Sequence, residues 1–190
     1  MLSLNLSPNP SSVKLPQRHF KRRQLIAYEH QLLWRIDRGV VRTFTWNEEG
    51  TPVTLGFWGI GDWVGTPPAQ LDPYEIECLT DVQVSLLPVG SWYSQDAMRS
   101  HLQQSGIMLK ILHCKRMSFR LQQLLEWLGQ RFGCPVEQGT LVDLRLTHQA
   151  IADIIGTTRV TITRLMRELE QTGKISCSGR HCILLNQSCH

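Results

Sequence analysis

The chain has 190 residues, 42% of them apolar and 19% charged, with a formal net charge of +4. This balance can bury one large or two small cores, and a chain of this length does not need its six cysteines as a disulfide scaffold. No apolar run approaches the roughly 18 residues that a membrane-spanning helix needs, which argues against a membrane partner.

Residues 1–17 are rich in Ser, Pro and Asn and read as a flexible leader, with no basic segment followed by an apolar stretch. Reduced thiols in a cytoplasm are the matching expectation. Residues 1–30 hold five basic residues against one acidic, and residues 31–105 hold four against nine. Residues 106–133 hold five against one, and residues 134–190 six against five. The C-terminal part is therefore no polybasic arm. Any nucleic-acid contact there rests on a few placed arginines.

From residue 18 to 105 short apolar-alternating runs are separated by turn residues. "LLWRIDRGVVRTFTW" turns at Arg38-Gly39, "NEEGTP" reads as a hairpin turn, and "VTLGFWGIGDWVG" carries four glycines. This spacing predicts an all-β barrel or roll. Over residues 106–133 the period changes. Ile107, Ile111, Cys114, Ser118, Leu121, Leu125, Leu128 and Phe132 follow a 4-3-4-3 spacing. A long dimerisation helix is the expectation, with all of these but Ser118 at the interface between two copies. The plainer alternative is a helix packed against its own chain. Gly133 and Pro135 mark a helix end and a hinge.

Residues 134–190 read as a strand-like "TLVDLRL", a helix, a turn, a second helix and a hairpin. Thr147 caps the first helix, which buries Ile151, Ile154 and Ile155. Gly156 makes the turn. Thr158 caps the second helix, and Gly173 closes it. On a helical wheel Ile162, Leu165, Met166 and Leu169 share the inner face, whereas Val160, Arg164 and Arg167 lie opposite with Thr163 at the side. Arg159 is in the first turn and reaches past the helix end. The hairpin turns at Ser178-Gly179-Arg180-His181. The pattern is a winged helix-turn-helix, and the fold class is α+β. In that setting the arginines suit guanine O6 and N7, and the threonines suit phosphate or a thymine methyl. A solvated arginine face is the bland alternative.

The order of roll, long helix and winged helix-turn-helix resembles the cyclic-AMP receptor/fumarate-nitrate regulator (Crp/Fnr) family over about residues 18–186. "LTHQAIADIIGTTRVTITRLMRELEQTGKI" is similar to that family's helix-turn-helix, and "EEGTPVTLGFWGIGDWVG" to its sensor roll. Within the family, "TRVTITRL" is most similar to the cyanobacterial global nitrogen regulators. The resemblance implies a cyclic-nucleotide-binding-like jelly roll and a homodimer on an inverted-repeat double-stranded DNA operator, with half-sites of the GTA…TAC kind. It also implies RNA polymerase as a partner. Arg159, Val160 and Arg164 would read bases, Thr147, Thr158, Thr163 and Arg167 would support the phosphate side, and Arg180 would carry the wing to the backbone.

The sensor departs from the family. Cyclic-nucleotide binders carry an arginine after "GD-x-x-G"; here no Arg or Lys stands between Arg42 and Arg99, while Asp72, Glu75, Glu77 and Asp81 do. An anionic phosphate would meet uncompensated negative charge. Cyclic AMP is therefore not expected as the effector. A 2-oxoacid would need a substitute arginine such as Arg116 or Arg120. Pro67, Pro68 and Pro73 break any regular strand pair across this loop.

No cysteine precedes Cys78, which speaks against an iron–sulfur cluster, and no cofactor is expected. Cys177 and Cys182 flank the wing turn, with His181, Cys189 and His190 nearby, but no standard zinc spacing is present. Cys114 reads as a small seam hydrophobe. His19, His30, His101, His113 and His148 are scattered, and no nucleophile, Walker or metallohydrolase motif occurs, so no enzyme is expected. The rival to a DNA-binding regulator is a protein-interaction adaptor that kept the fold; it would not need the Arg159–Arg164 pair.

Overall fold

The computed structural model describes residues 16–27, 33–65, 71–86, 95–178 and 182–186; most of the expected leader, with Pro67 and Pro68, lies outside them. The strands of the N-terminal part are β1 (Gln17–Phe20), β2 (Leu25–Ile26), β3 (Leu33–Arg38), β4 (Val41–Trp46), β5 (Pro52–Trp58), β6 (Trp63–Gly65), β7 (Glu75–Cys78) and β8 (Val82–Leu86). They form two antiparallel sheets, ordered β1-β8-β3-β6 and β2-β7-β4-β5. The expected roll is present, and its interior follows the period of two. Trp34 and Ile36 of β3 point inward and meet Val41, Trp58, Val64, Ile76, Val82 and Val84. The indole N–H of Trp58 donates to Thr43 Oγ1 at 3.0 Å, so this large ring is buried with its one polar group satisfied.

Strand β5 serves two cores. Trp58 faces the roll interior, while Phe57, one residue earlier, is fully buried on the other side. There its ring meets Trp127 at 5.8 Å and Phe132 at 6.5 Å. That second core runs without interruption from the roll into the C-terminal part. It is built by α1 (Gln95–Leu112), α2 (Met117–Phe132), α3 (His148–Ile155), α4 (Arg159–Gln171) and a sheet ordered β11-β12-β10-β9. The strands are β9 (Cys134–Val136), β10 (Gly139–Val142), β11 (Ile175–Ser178) and β12 (Cys182–Asn186).

The single long dimerisation helix over 106–133 is corrected in two ways. The helix begins earlier, by Gln95, and it is interrupted after Leu112. Arg120 holds the break: its Nε and Nη2 donate to Cys114 O at 3.2 and 2.9 Å, and its Nη1 donates to Ile155 O at 2.9 Å. The 4-3 spacing runs on in sequence through the break. Leu121, Leu125 and Leu128 of the expected seam are buried inside this one chain, as are Leu124 and Ile111. They are core against the roll and the helix-turn-helix, not a surface offered to a second copy. Ile107 and Phe132 are partly buried against the same core, and Cys114 sits half-buried at the break.

Two contacts join roll to helices. Arg131 of α2 donates to both oxygens of Asp62 at 2.7 Å, and Asp62 Oδ2 also accepts from Gly59 N at 2.8 Å. The acid of "GDWVG" is thus a structural joint. On α1, His101 lies 4.1 Å from Trp58 by ring centroids, and burial holds its imidazole below the ordinary histidine range. Gly133 ends α2 as expected, but by close packing rather than by a left-handed turn: its φ is −79°, and a Cβ there would collide with Thr140 Cγ2 and Gly129 O.

The core assignment is testable. Leu125→Ala should lower the unfolding free energy by about 2–5 kcal/mol through the cavity it leaves. Sedimentation of the folded variant should show the same oligomeric state as the parent. A shift to monomer with unchanged chain stability would return Leu125 to a seam.

Candidate nucleic-acid interface

The helix-turn-helix is built from two capped helices and a short turn. Thr147 caps α3, its Oγ1 accepting from Ala150 N at 3.1 Å. At the other end Gly156 adopts φ 69°, ψ 56°, and its N–H donates to Ala152 O. A Cβ at Gly156 would meet nothing within 4 Å, so the left-handed backbone alone calls for glycine. Thr158 then caps α4, its Oγ1 accepting from Thr161 N at 3.2 Å. Ile162, Leu165, Met166 and Leu169 are buried against α3 and the core, as the wheel predicts.

This seating turns the other face of α4 outward. Arg159, Val160, Arg164 and Arg167 are exposed, and Val160 is 79% exposed. A side chain so open makes little contribution to the core and is accessible to a partner beside the two arginines. Arg164 pairs with Glu168 one turn on, on the surface. That pair is screened by water and is worth little, so guanine can compete for the guanidinium. Arg159 and Arg167 form no ion pair among the described residues. With the N–H groups of the first turn unpaired within the helix, the α4 N-terminus carries partial positive charge suited to phosphate.

The threonines divide by what their hydroxyls already do. The capping oxygen of Thr147 accepts a bond through a lone pair, which leaves its hydroxyl hydrogen available to donate. Thr158 Oγ1 lies 2.9 Å from Thr161 Oγ1. Thr163 is half-buried and engaged twice: it donates to Arg159 O at 2.9 Å and lies 2.9 Å from His148 Nδ1. Since the single hydroxyl hydrogen goes to Arg159 O, His148 Nδ1 must donate, which sets its tautomer. Thr163 is therefore a joint between the two helices. His148 is the residue that sequence reasoning passed over; nothing in its position within the first turn of α3 signals a partner on the next helix.

The wing strands β11 and β12 pair antiparallel up to Ser178 opposite Cys182. Arg180 and His181 lie outside the described residues, as do Cys189 and His190. The register separates the two wing cysteines. Cys177 stands opposite Ile183 and Cys182 opposite Ser178, so their side chains leave opposite faces of the hairpin. Cys182 Sγ instead donates to Asp143 Oδ1 at 3.1 Å, and this bond raises its thiol pKa. No metal-ligating cluster occurs among the described residues. Of the arginines considered as 2-oxoacid partners, Arg120 is committed to carbonyls at the helix break, and Arg116 lines a groove between α2 and α4. Neither faces the roll interior.

Cys78 of β7 is 1% exposed, and burial, aided by Glu77 and Asp81, pushes its thiol up to about 12. Because only the thiolate is nucleophilic, Cys78 should resist iodoacetamide through about pH 9 in the folded chain, while exposed Cys134 is modified. Peptide mass mapping checks this; equal modification of both under those conditions would contradict it.

Comparison with known proteins places this geometry. Residues 119–188 match the Crp-like helix-turn-helix domain. The chain is 40% identical over 181 residues to the Regulatory protein CysR of Synechococcus elongatus, covering 92% of this chain and 88% of that protein. It is 32% identical over 123 residues to the Global nitrogen regulator of the same organism, covering 65% of this chain and 55% of that protein. Among solved structures, a CRP/FNR-family transcriptional regulator from Thermus thermophilus superposes with a TM-score of 0.75 at 24% identity, covering 90% of this chain and 94% of that one. FixK2 from Bradyrhizobium japonicum superposes with a TM-score of 0.74 at 19% identity, covering 92% of this chain and 94% of that one. At such identities these two speak to fold alone.

Proposed function

The chain belongs to the Crp/Fnr family of transcription regulators, and from this premise we propose that it binds an inverted-repeat operator as a homodimer without needing cyclic AMP. It is a DNA-binding transcriptional regulator. The observation that carries the specific reading is the outward face of α4, where Arg159, Val160 and Arg164 stand exposed just after a capped turn. In the major groove each arginine can give two parallel hydrogen bonds to guanine O6 and N7, and Val160 can meet a thymine methyl. Thr147, Thr158 and Arg167 flank them for the phosphates, with Arg180 assigned to the wing tip. RNA polymerase is the protein partner this reading implies.

The dimer is carried by α1 in place of the expected seam. Met98, Leu102 and Leu109 are 43%, 68% and 57% exposed, and with Ser105 they repeat at 4-3-4 along one face of α1. The opposite face, Gln104, Met108 and Ile111, is buried in the chain's own core. A stripe of large apolar side chains open to water is the natural seam for a second copy. A two-fold axis along it sets two α4 helices toward one side of a duplex.

Two experiments test this. Arg164→Ala should weaken binding to a specific duplex by about 1–3 kcal/mol and relax the preference at one base pair. Arg167→Ala should weaken all sequences alike and reduce the salt dependence. Both titrations should give the same affinities with and without cyclic AMP. Equal losses on specific and scrambled duplexes for Arg164→Ala, or a tenfold gain with cyclic AMP, would overturn the assignment. Separately, Leu102→Glu with Leu109→Glu should yield a folded monomer by sedimentation with much weaker operator binding; a stable dimer would show that α1 is not the seam.

A further inference from the structure

We propose that the cleft between the roll and the start of α3 binds a small, doubly charged free oxyanion. The cleft measures about 240 Å³, and Arg22, Arg23, Arg42, Glu77, Arg145 and Thr147 line it. Four arginines meet one carboxylate there. A second carboxylate, Asp143, accepts from Arg145 Nε at 3.2 Å. The balance is two positive charges, which a dianion closes.

The cleft is more than a basic surface, because Arg42 is only 8% exposed. Its Nη2 donates to Glu77 Oε2 at 2.7 Å, and its guanidinium lies 4.9 Å from the Phe44 ring centre. Its Nε and Nη1 are shut off from solvent and have no hydrogen-bond partner among the described residues. A buried guanidinium with two N–H groups unmatched is costly, and an oxyanion drawn in beside Arg42, with a small shift of its side chain, would supply the missing acceptors. Arg23, at the mouth, is exposed and makes no side-chain hydrogen bond or ion pair among the described residues. Arg22 is already oriented: its Nε donates to Leu79 O and its Nη2 to Arg145 O, both at 3.1 Å. The capped end of α3 at Thr147 adds the partial positive charge of a helix start.

Size and depth select the ligand. About 240 Å³ is below the range of pockets that hold nucleotide- or drug-sized molecules, and suits a tetrahedral oxyanion or a short dicarboxylate. A phosphate on the outside of a duplex is fixed in its strand, whereas a free ion can enter the cleft that Arg42 lines. The walls come from both halves of the chain: Arg22, Arg23 and Arg42 from the roll, Arg145 and Thr147 from the helix-turn-helix. An ion held between them therefore favours one mutual arrangement of roll and DNA-reading helices, which is the physical requirement for coupling to operator affinity.

Calorimetry of the full chain with sodium sulfate, inorganic phosphate and malonate tests the proposal, in a zwitterionic buffer with chloride holding ionic strength constant. At least one of the three should saturate at one ion per chain. Arg23→Gln should weaken it tenfold or more, and Arg23→Lys should recover most of the affinity. Arg42→Met should abolish it; if that variant does not fold, exposed Arg23 still carries the test. Heats that never saturate, or that are the same for Arg23→Gln as for the parent, would overturn the proposal. So would an Arg23→Gln variant that loses affinity only for duplexes with long flanks, since the arginines would then serve DNA phosphate.

Discussion

The arrangement of the whole chain depends on one row of leucines along α2. Leu121, Leu124, Leu125 and Leu128 are 0–2% exposed and share one apolar core with Phe57 and Leu79 of the roll and with the helix-turn-helix. Fully burying each such side chain contributes about 1.5–3 kcal/mol of gross apolar transfer free energy. Phe57 reaches into this core from β5, and Ile151, Ile155 and Ile162 reach in from α3 and α4. The reading face of α4 is therefore oriented by the same apolar contacts that hold the chain together.

Polar contacts refine this frame where the apolar core cannot. Arg131 grips Asp62 across the junction of roll and α2, and Arg120 gathers carbonyls from the helix break and the end of α3. Each uses a planar guanidinium with several donors to satisfy acceptors from separate segments. His148 and Thr163 do the same on a smaller scale between α3 and α4. Among the described arginines, Arg120 and Arg131 close internal joints, Arg159 and Arg167 make no ion pair on α4, and Arg22, Arg23, Arg42 and Arg145 gather in the cleft beside α3.

The exposed surface of α4 carries its chemistry at modest cost in stability. Val160 open to water and a screened Arg164–Glu168 pair contribute little to folding, and both are available to a partner. The roll shows a different economy. Its interior is filled by Trp34, Ile36 and Trp58, and Asp72, Glu75, Glu77 and Asp81 are the charged residues of the stretch 71–81. The outward face of α4 is basic, whereas residues 71–81 of the roll are acidic.

Much of the C-terminal part was legible in the residues themselves. Thr147, Gly156 and Thr158 act within about three or four positions of where they stand, and the apolar face of α4 repeats at the helical period, so local chemistry sufficed to place caps, turn and outward arginines. The barrel or roll followed equally from short alternating runs, while its division into two sheets is seen in the folded chain. The seam did not. A 4-3 spacing says that one face of a helix is apolar, and it is silent on whether that face meets its own chain or another. Only the folded chain settled that Leu121, Leu125 and Leu128 are interior and that Met98, Leu102 and Leu109 face outward. The break at residues 113–116, the Asp62–Arg131 joint, the His148–Thr163 bond and the gathering of Arg22, Arg42 and Arg145 all join residues distant in sequence. Periodicity and capping are properties of neighbours along the chain, whereas these contacts exist only once the roll and the helices have packed.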